Sequence, residues 1–120
     1  LIGRLGALLL LAAAPAAAAD GAALFEANCG SCHAIAANAP PMAGPNLAGV
    51  VGRLVGGDRD FGYSPAIERA RAAGQRWTAP MLAQFLADPE AMFPGLWMGG
   101  NGIRDEAARA AVVAFLARAD

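Results

Sequence analysis

Apolar residues in the last third of the chain recur at three- and four-residue intervals. In "DEAARAAVVAFLAR" (105–118), Ala108, Val112, Phe115 and Leu116 fall on one face behind Asp105, which predicts a helix over about 105–118. Thr78 is a cap type, Pro80 suits a first turn, and Leu82, Phe85 and Leu86 form a stripe. These predict a helix over about 78–87, stopped by Pro89. Ser64-Pro65 opens another that ends near Gly74. A fourth is expected over about 21–29 with Asp20 as its N-cap. Strand alternation is poor and no internal repeat occurs. Residues 34–60 follow neither period, and so long a loop is unusual in a compact domain unless it wraps something. The stretch "FPGLWMGG" (93–100) is equally aperiodic, so the place of Met98 in it needs another explanation.

The N-terminal pattern is of a different kind. "LIGRLGALLLLAAAPAAAAD" has a charged start at Arg4, an apolar run from Leu5 to Ala14 and small residues at Ala17–Ala19. This is the make-up of a secretory signal peptide over 1–19. As a membrane anchor the run is too short and is broken by Pro15. The expected domain is then 20–120, outside the inner membrane, in the periplasm.

Composition sharpens this. The hydrophobic share of 57% is inflated by alanine. Residues 20–120 hold 7 Leu, 3 Ile, 5 Val and 5 Phe, a small stock of large apolar side chains for a domain of that size. A large apolar body that is not amino acid would complete such a core. The same residues carry 8 Arg against 10 Asp and Glu, with no lysine anywhere, which argues against nucleic acid as a partner.

Both cysteines and the only histidine lie within five residues, Cys29-Gly30-Ser31-Cys32-His33. C-x-x-C-H is the attachment signature of c-type haem. Positions three apart at a helix end share a face, so both thiols can reach the two vinyl groups of one porphyrin edge. His33 can then turn under the ring to ligate iron. A thioredoxin-like dithiol would need a βαβ context that the pattern lacks, a zinc site would need further Cys or His ligands, and a disulfide across three residues would restrain little. Export fits haem too, because the group is attached outside the cytoplasm.

With one imidazole in the chain, a second strong axial ligand must be a methionine: Met42, Met81, Met92 or Met98. Met81 falls in the first turn of a predicted helix and reads as packing. Met42 lies nine residues after His33, close for a return over the opposite haem face. Met92 and Met98 both fall in the loop after Asp88-Pro89, and the pattern around Met98 favours it.

These residues resemble the class I cytochromes c, the small soluble monohaem type that includes mitochondrial cytochrome c and its bacterial relatives. The similarity spans nearly all of 20–120. Gly21 and Phe25 stand where that family's N-terminal helix crosses its C-terminal one, facing Val112 and Phe115, and "GPNLAGVVGR" (44–53) looks like its loop after the haem motif. Phe61 and Tyr63, Trp77, "LAQFLADP" (82–89) and "PGLWM" (94–98) follow in the family's order. The resemblance implies an all-α cytochrome c fold of about four helices and long loops around one haem, bound through thioethers to Cys29 and Cys32. It implies His33 and Met98 as axial ligands and the Pro45 carbonyl as acceptor from His33. Arg53, Tyr63 and Trp77 would hold a buried propionate.

The departures from the family are informative. Where it commonly places a tyrosine, a threonine and an asparagine around the Met ligand, this chain has Phe85, Leu96 and Ile67. A drier Met98 side disfavours ferric charge and raises the potential. Gly100 replaces an aromatic and opens a haem edge to water, which acts the other way. "GGNG" (99–102) predicts a yielding segment behind Met98.

The family's lysine ring is absent, leaving docking to an apolar patch around the haem edge and Trp97. The resulting expectation is a periplasmic, monomeric one-electron carrier serving redox partner proteins and not an enzyme. It would meet a membrane only through membrane-bound partners or an uncleaved signal. The alternatives are a haem enzyme or gas-binding protein with a labile Met98, and a dedicated subunit of a dehydrogenase complex.

Overall fold

The computed structural model describes residues 2–3, 6–10 and 16–119. Five helices occur among them: α1 (Ala16–Asn28), α2 (Pro65–Ala72), α3 (Ala79–Ala87), α4 (Pro89–Met92) and α5 (Glu106–Arg118). No strand forms among the described residues; one antiparallel bridge joins Leu54 to Arg76.

Three helix starts sit where their caps predict. The Ser64 hydroxyl accepts from the Ile67 amide (3.5 Å), Thr78 from Met81 (3.2 Å) and the Asp105 carboxylate from Ala108 (2.8 Å). Each satisfies an amide that the first helical turn leaves without a partner.

Two expectations need correction. Helix α1 reaches back to Ala16, so Asp20 lies inside it and is not an N-cap. Alanines 16–19 are strong helix formers and carry the helix across that point without a capping signal. The segment after Asp88-Pro89 is not wholly loop either. Asp88 starts α4 by accepting from the Ala91 amide at 3.2 Å, and Met92 ends that helix. The signal-peptide reading of 1–19 falls in part on residues outside those described, Arg4 and 11–15 among them.

The ends of the domain meet. Helix α5 packs on α1 and α3, with Phe25 and Val112 almost fully buried at the first crossing. A Cβ at Gly21 would stand 2.6 Å from the Ala111 carbonyl oxygen, so only glycine lets the two backbones approach this closely. The Phe25 and Phe115 rings pack beside the crossing at 5.5 Å. A second apolar group joins Trp77, Phe85 and Phe93 at centroid distances of 5.0 to 6.1 Å. Trp77 and Phe85 of this second group, with Leu116 of α5, line a cavity.

Candidate haem site

The Cys29–His33 segment leaves α1 as a tight turn. The Cys29 and Gly30 amides both donate to the Phe25 carbonyl (2.7 and 3.0 Å), and the His33 amide donates to Cys29 (2.9 Å). This folding-back turns Cys29, Cys32 and His33 toward one cavity of about 470 Å³. Burial pushes the Cys29 thiol up from its ordinary value, and the Glu26 carboxylate adds to the rise.

His33 is oriented by its neighbours. Its Nδ1 lies 2.8 Å from the Pro45 carbonyl oxygen. A carbonyl can only accept, so Nδ1 carries the proton and Nε2 keeps the free lone pair that a metal needs. Gly44 makes the approach feasible, since a Cβ there would stand 2.5 Å from His33 Cε1 and 2.8 Å from Nδ1. The reading of the sequence missed this role of Gly44. A glycine before Pro45 signals a turn, and only the fold shows that the imidazole lies against it.

The ten residues expected at the site line the same cavity: Cys29, Cys32, His33, Pro45, Arg53, Tyr63, Trp77, Phe85, Leu96 and Met98. Of the four methionines, Met98 is the one on this wall. Met42 borders a separate hollow of about 140 Å³ beside Pro40 and Phe61, while Met81 and Met92 pack against the core. Met98 rides on a short connection in which Gly95 and Gly99 both take positive φ. That connection is fastened at several points. The Gly95 amide donates to Glu90 Oε1 (2.7 Å), Asn101 Nδ2 donates to the Met98 carbonyl (2.8 Å), and the Ile103 amide donates to Leu86 (2.7 Å). Within the "GGNG" stretch, Asn101 is the residue whose side chain ties back to Met98.

The cavity is polar at one end and apolar at the other. Tyr63 receives the Asp58 amide at its phenol oxygen (3.0 Å), which leaves its own O–H to donate elsewhere, and burial pushes its pKa above the ordinary value. Asp58 in turn accepts from the Asn46 and Asp60 amides (2.9 and 3.0 Å), a brace for the long loop that the sequence reading did not find. Arg53 Nη1 donates to Ala48 (3.1 Å), but its Nε is buried without a partner among the described residues. A buried donor left unsatisfied costs about 1–3 kcal/mol. The mismatch fits an anionic acceptor inside the cavity, such as a propionate. The remaining wall is Ile67, Leu82, Phe85, Leu86, Leu96 and Ile103, fit for the face of a flat apolar ring. Two thiols on one turn, an imidazole with a free Nε2, an orphaned cation and a cavity within the range of cofactor sites together suit a haem.

The cytochrome c family model matches residues 18–120. The chain is 42% identical over 85 residues to a cytochrome c2 of Agrobacterium tumefaciens, covering 71% of this chain and 76% of that one. This chain belongs to the cytochrome c family. It is 39% identical over 88 residues to cytochrome c-550 of Ancylobacter novellus, covering 73% and 81% of the two chains. The solved ferricytochrome c2 of Rhodopseudomonas palustris superposes with a TM-score of 0.75 at 35% identity, covering 86% of this chain and 98% of that one. Membership brings covalently bound haem c and haem-based electron transfer, and the helical architecture agrees with the family's fold.

Proposed function

We propose that this cytochrome is a periplasmic, monomeric one-electron carrier in which His33 and Met98 are the axial ligands, Cys29 and Cys32 the thioether anchors. The observation that carries the ligand assignment is the placement of Met98, alone of the four methionines, on the wall shared with His33. Bound haem c supplies an iron that accepts and releases one electron. Around it the protein's task is to hold both ligands through the change. The Pro45 carbonyl fixes the His33 ring and its tautomer, and the fastened loop presents Met98. Arg53 Nε and the Tyr63 hydroxyl would hold a propionate and offset its charge, while Trp77, Phe85 and Leu96 would exclude water.

In the carrier reading His33 and Met98 would occupy both axial positions, which leaves the iron no open place for a substrate. Export is supported by the leader-like 1–19, whose Leu8, Leu9 and Leu10 are over 85% exposed and take no part in the core. Among the described residues no helix is long and apolar enough to cross a membrane. The donor and acceptor are redox proteins meeting the open side of the cavity.

The test is the visible spectrum of holoprotein made in a haem-attaching periplasm. The expected result is a low-spin c-type spectrum, with the weak long-wavelength band of ferric iron–methionine, and a reduced form unmoved by carbon monoxide. A high-spin spectrum, or a rapid shift under carbon monoxide, would overturn Met98 ligation and turn attention to ligand binding.

A further inference from the structure

The mouth of the cavity carries no charge. Its solvent-facing rim includes Ser31, Cys32, Trp97 and Asn101, and Trp97 is 68% exposed while lining the same cavity as Met98. Among the described residues no aromatic partner packs on this tryptophan, which is left open beside a redox centre.

Carboxylates flank this rim. A Cβ at Gly30 would stand 2.6 Å from Glu26 Oε2, so that carboxylate lies against the Cys29–Cys32 turn. On the other side Glu90 accepts from Gly95, three residues from Met98. The nearby cations are Arg104 and Arg109. The Arg109 guanidinium is engaged by the Ile103 and Arg104 carbonyls, and Asp105 and Glu106 follow at the start of α5. Three further arginines are engaged within the protein, Arg53 on the inner wall of the cavity itself. Arg53 points inward to Ala48, Arg71 pairs with Glu68 on α2, and Arg76 donates to Gly52.

From this distribution we infer that the mouth docks a redox partner whose contact surface is apolar at its centre and basic at its rim, with Trp97 as the central contact and Glu26 and Glu90 facing the partner's cations. The inference rests on the electron-carrier reading above and names the partner's chemistry. An uncharged centre can be desolvated at little cost, and a tryptophan face attracts both apolar groups and cations. The flanking carboxylates act over about one Debye length, roughly 10 Å at 0.1 M salt, and orient the approach.

The experiment oxidises reduced holoprotein with two inorganic reagents, tris(phenanthroline)cobalt(III), which is cationic with an aromatic exterior, and ferricyanide, which is anionic. In each reaction one electron leaves the protein and reduces the reagent, cobalt(III) to cobalt(II) or ferricyanide to ferrocyanide. The cobalt reaction is expected to slow as salt is added and the ferricyanide reaction to quicken. Trp97→Ala should slow the cobalt reaction about twofold to fivefold, the size of an exposed cation–aromatic contact. Glu26→Gln and Glu90→Gln should each slow it at low salt, the latter keeping an oxygen acceptor for the Gly95 amide, whereas Glu68→Gln on α2 should change neither rate. Exchange with both reagents at rates indifferent to salt and to Trp97→Ala would overturn the docking face alone. Exchange with neither reagent would overturn it together with the carrier reading.

Discussion

The two sides of the haem cavity are held by different means. On the His33 side each constraint is a specific atom. The turn closes through Cys29, the ring nitrogen meets Pro45 at 2.8 Å, and Gly44 leaves no room for a methyl group. On the Met98 side the constraints fall on the backbone, through Gly95, the Met98 carbonyl and Ile103, while Phe85 and Leu96 confine the side chain by volume. A directional bond fixes orientation and tautomer together. Packing against carbon fixes position and leaves the thioether free to rotate. The first arrangement should fail abruptly when an atom is changed, the second gradually.

The largest effect is expected from His33→Ala, which removes the chain's only imidazole. The recovered protein should lack a low-spin haem spectrum, and absorbance of the purified product measures this. Met98→Ala breaks the other side and should be milder in fold and large in electronics. The ferric methionine band should vanish, carbon monoxide should bind the reduced form, and the potential should drop by roughly a tenth of a volt or more, read by redox titration. Gly44→Ala tests the brittle side without touching a ligand. Its methyl group must push the imidazole or the Cys32 carbonyl, at a cost of about 1–3 kcal/mol in denaturant unfolding. An equally small change on the packed side, Leu96→Met, should stay within about 1.5 kcal/mol.

The smallest effect concerns Tyr63. Its phenol pKa is raised in the fold, chiefly by burial, so the native state holds this proton more tightly than the unfolded chain. The resulting stability is complete below the ordinary tyrosine value near 10 and is lost as pH rises through the higher folded value. Unfolding midpoints measured from pH 9 upward should decline less steeply in Tyr63→Phe.

The sequence made the packed side easier to read in its helices and the directional side easier to read in its chemistry. Ser64, Thr78 and Asp105 announce their helices because a cap is local chemistry. Helix α4 escaped because the four residues Pro89–Met92 give no period to detect, and Asp88 reads equally well as an ending. The start of α1 was misplaced because alanines carry a helix past an aspartate without a signal. C-x-x-C-H named its own cofactor. Arg53, Tyr63 and Pro45 were reached through resemblance alone, since nothing local distinguishes a cavity-lining arginine from a loop charge. Gly44 and the Asp58 brace depend on contacts between residues eleven and twelve apart in the chain, which spacing does not encode.

Helices α1 and α5, which cross at Gly21 and Ala111, stand at opposite ends of the chain, and Leu116 of α5 forms part of the cavity wall. A chain delivered N-terminus first presents the Cys29–His33 turn long before α5 exists to cover it. During that interval α1 has nothing to pack on, and the attachment thiols face an unfinished pocket. Docking of α5 is then the event that shuts the pocket, so delivery in this order keeps the attachment thiols accessible until that helix arrives.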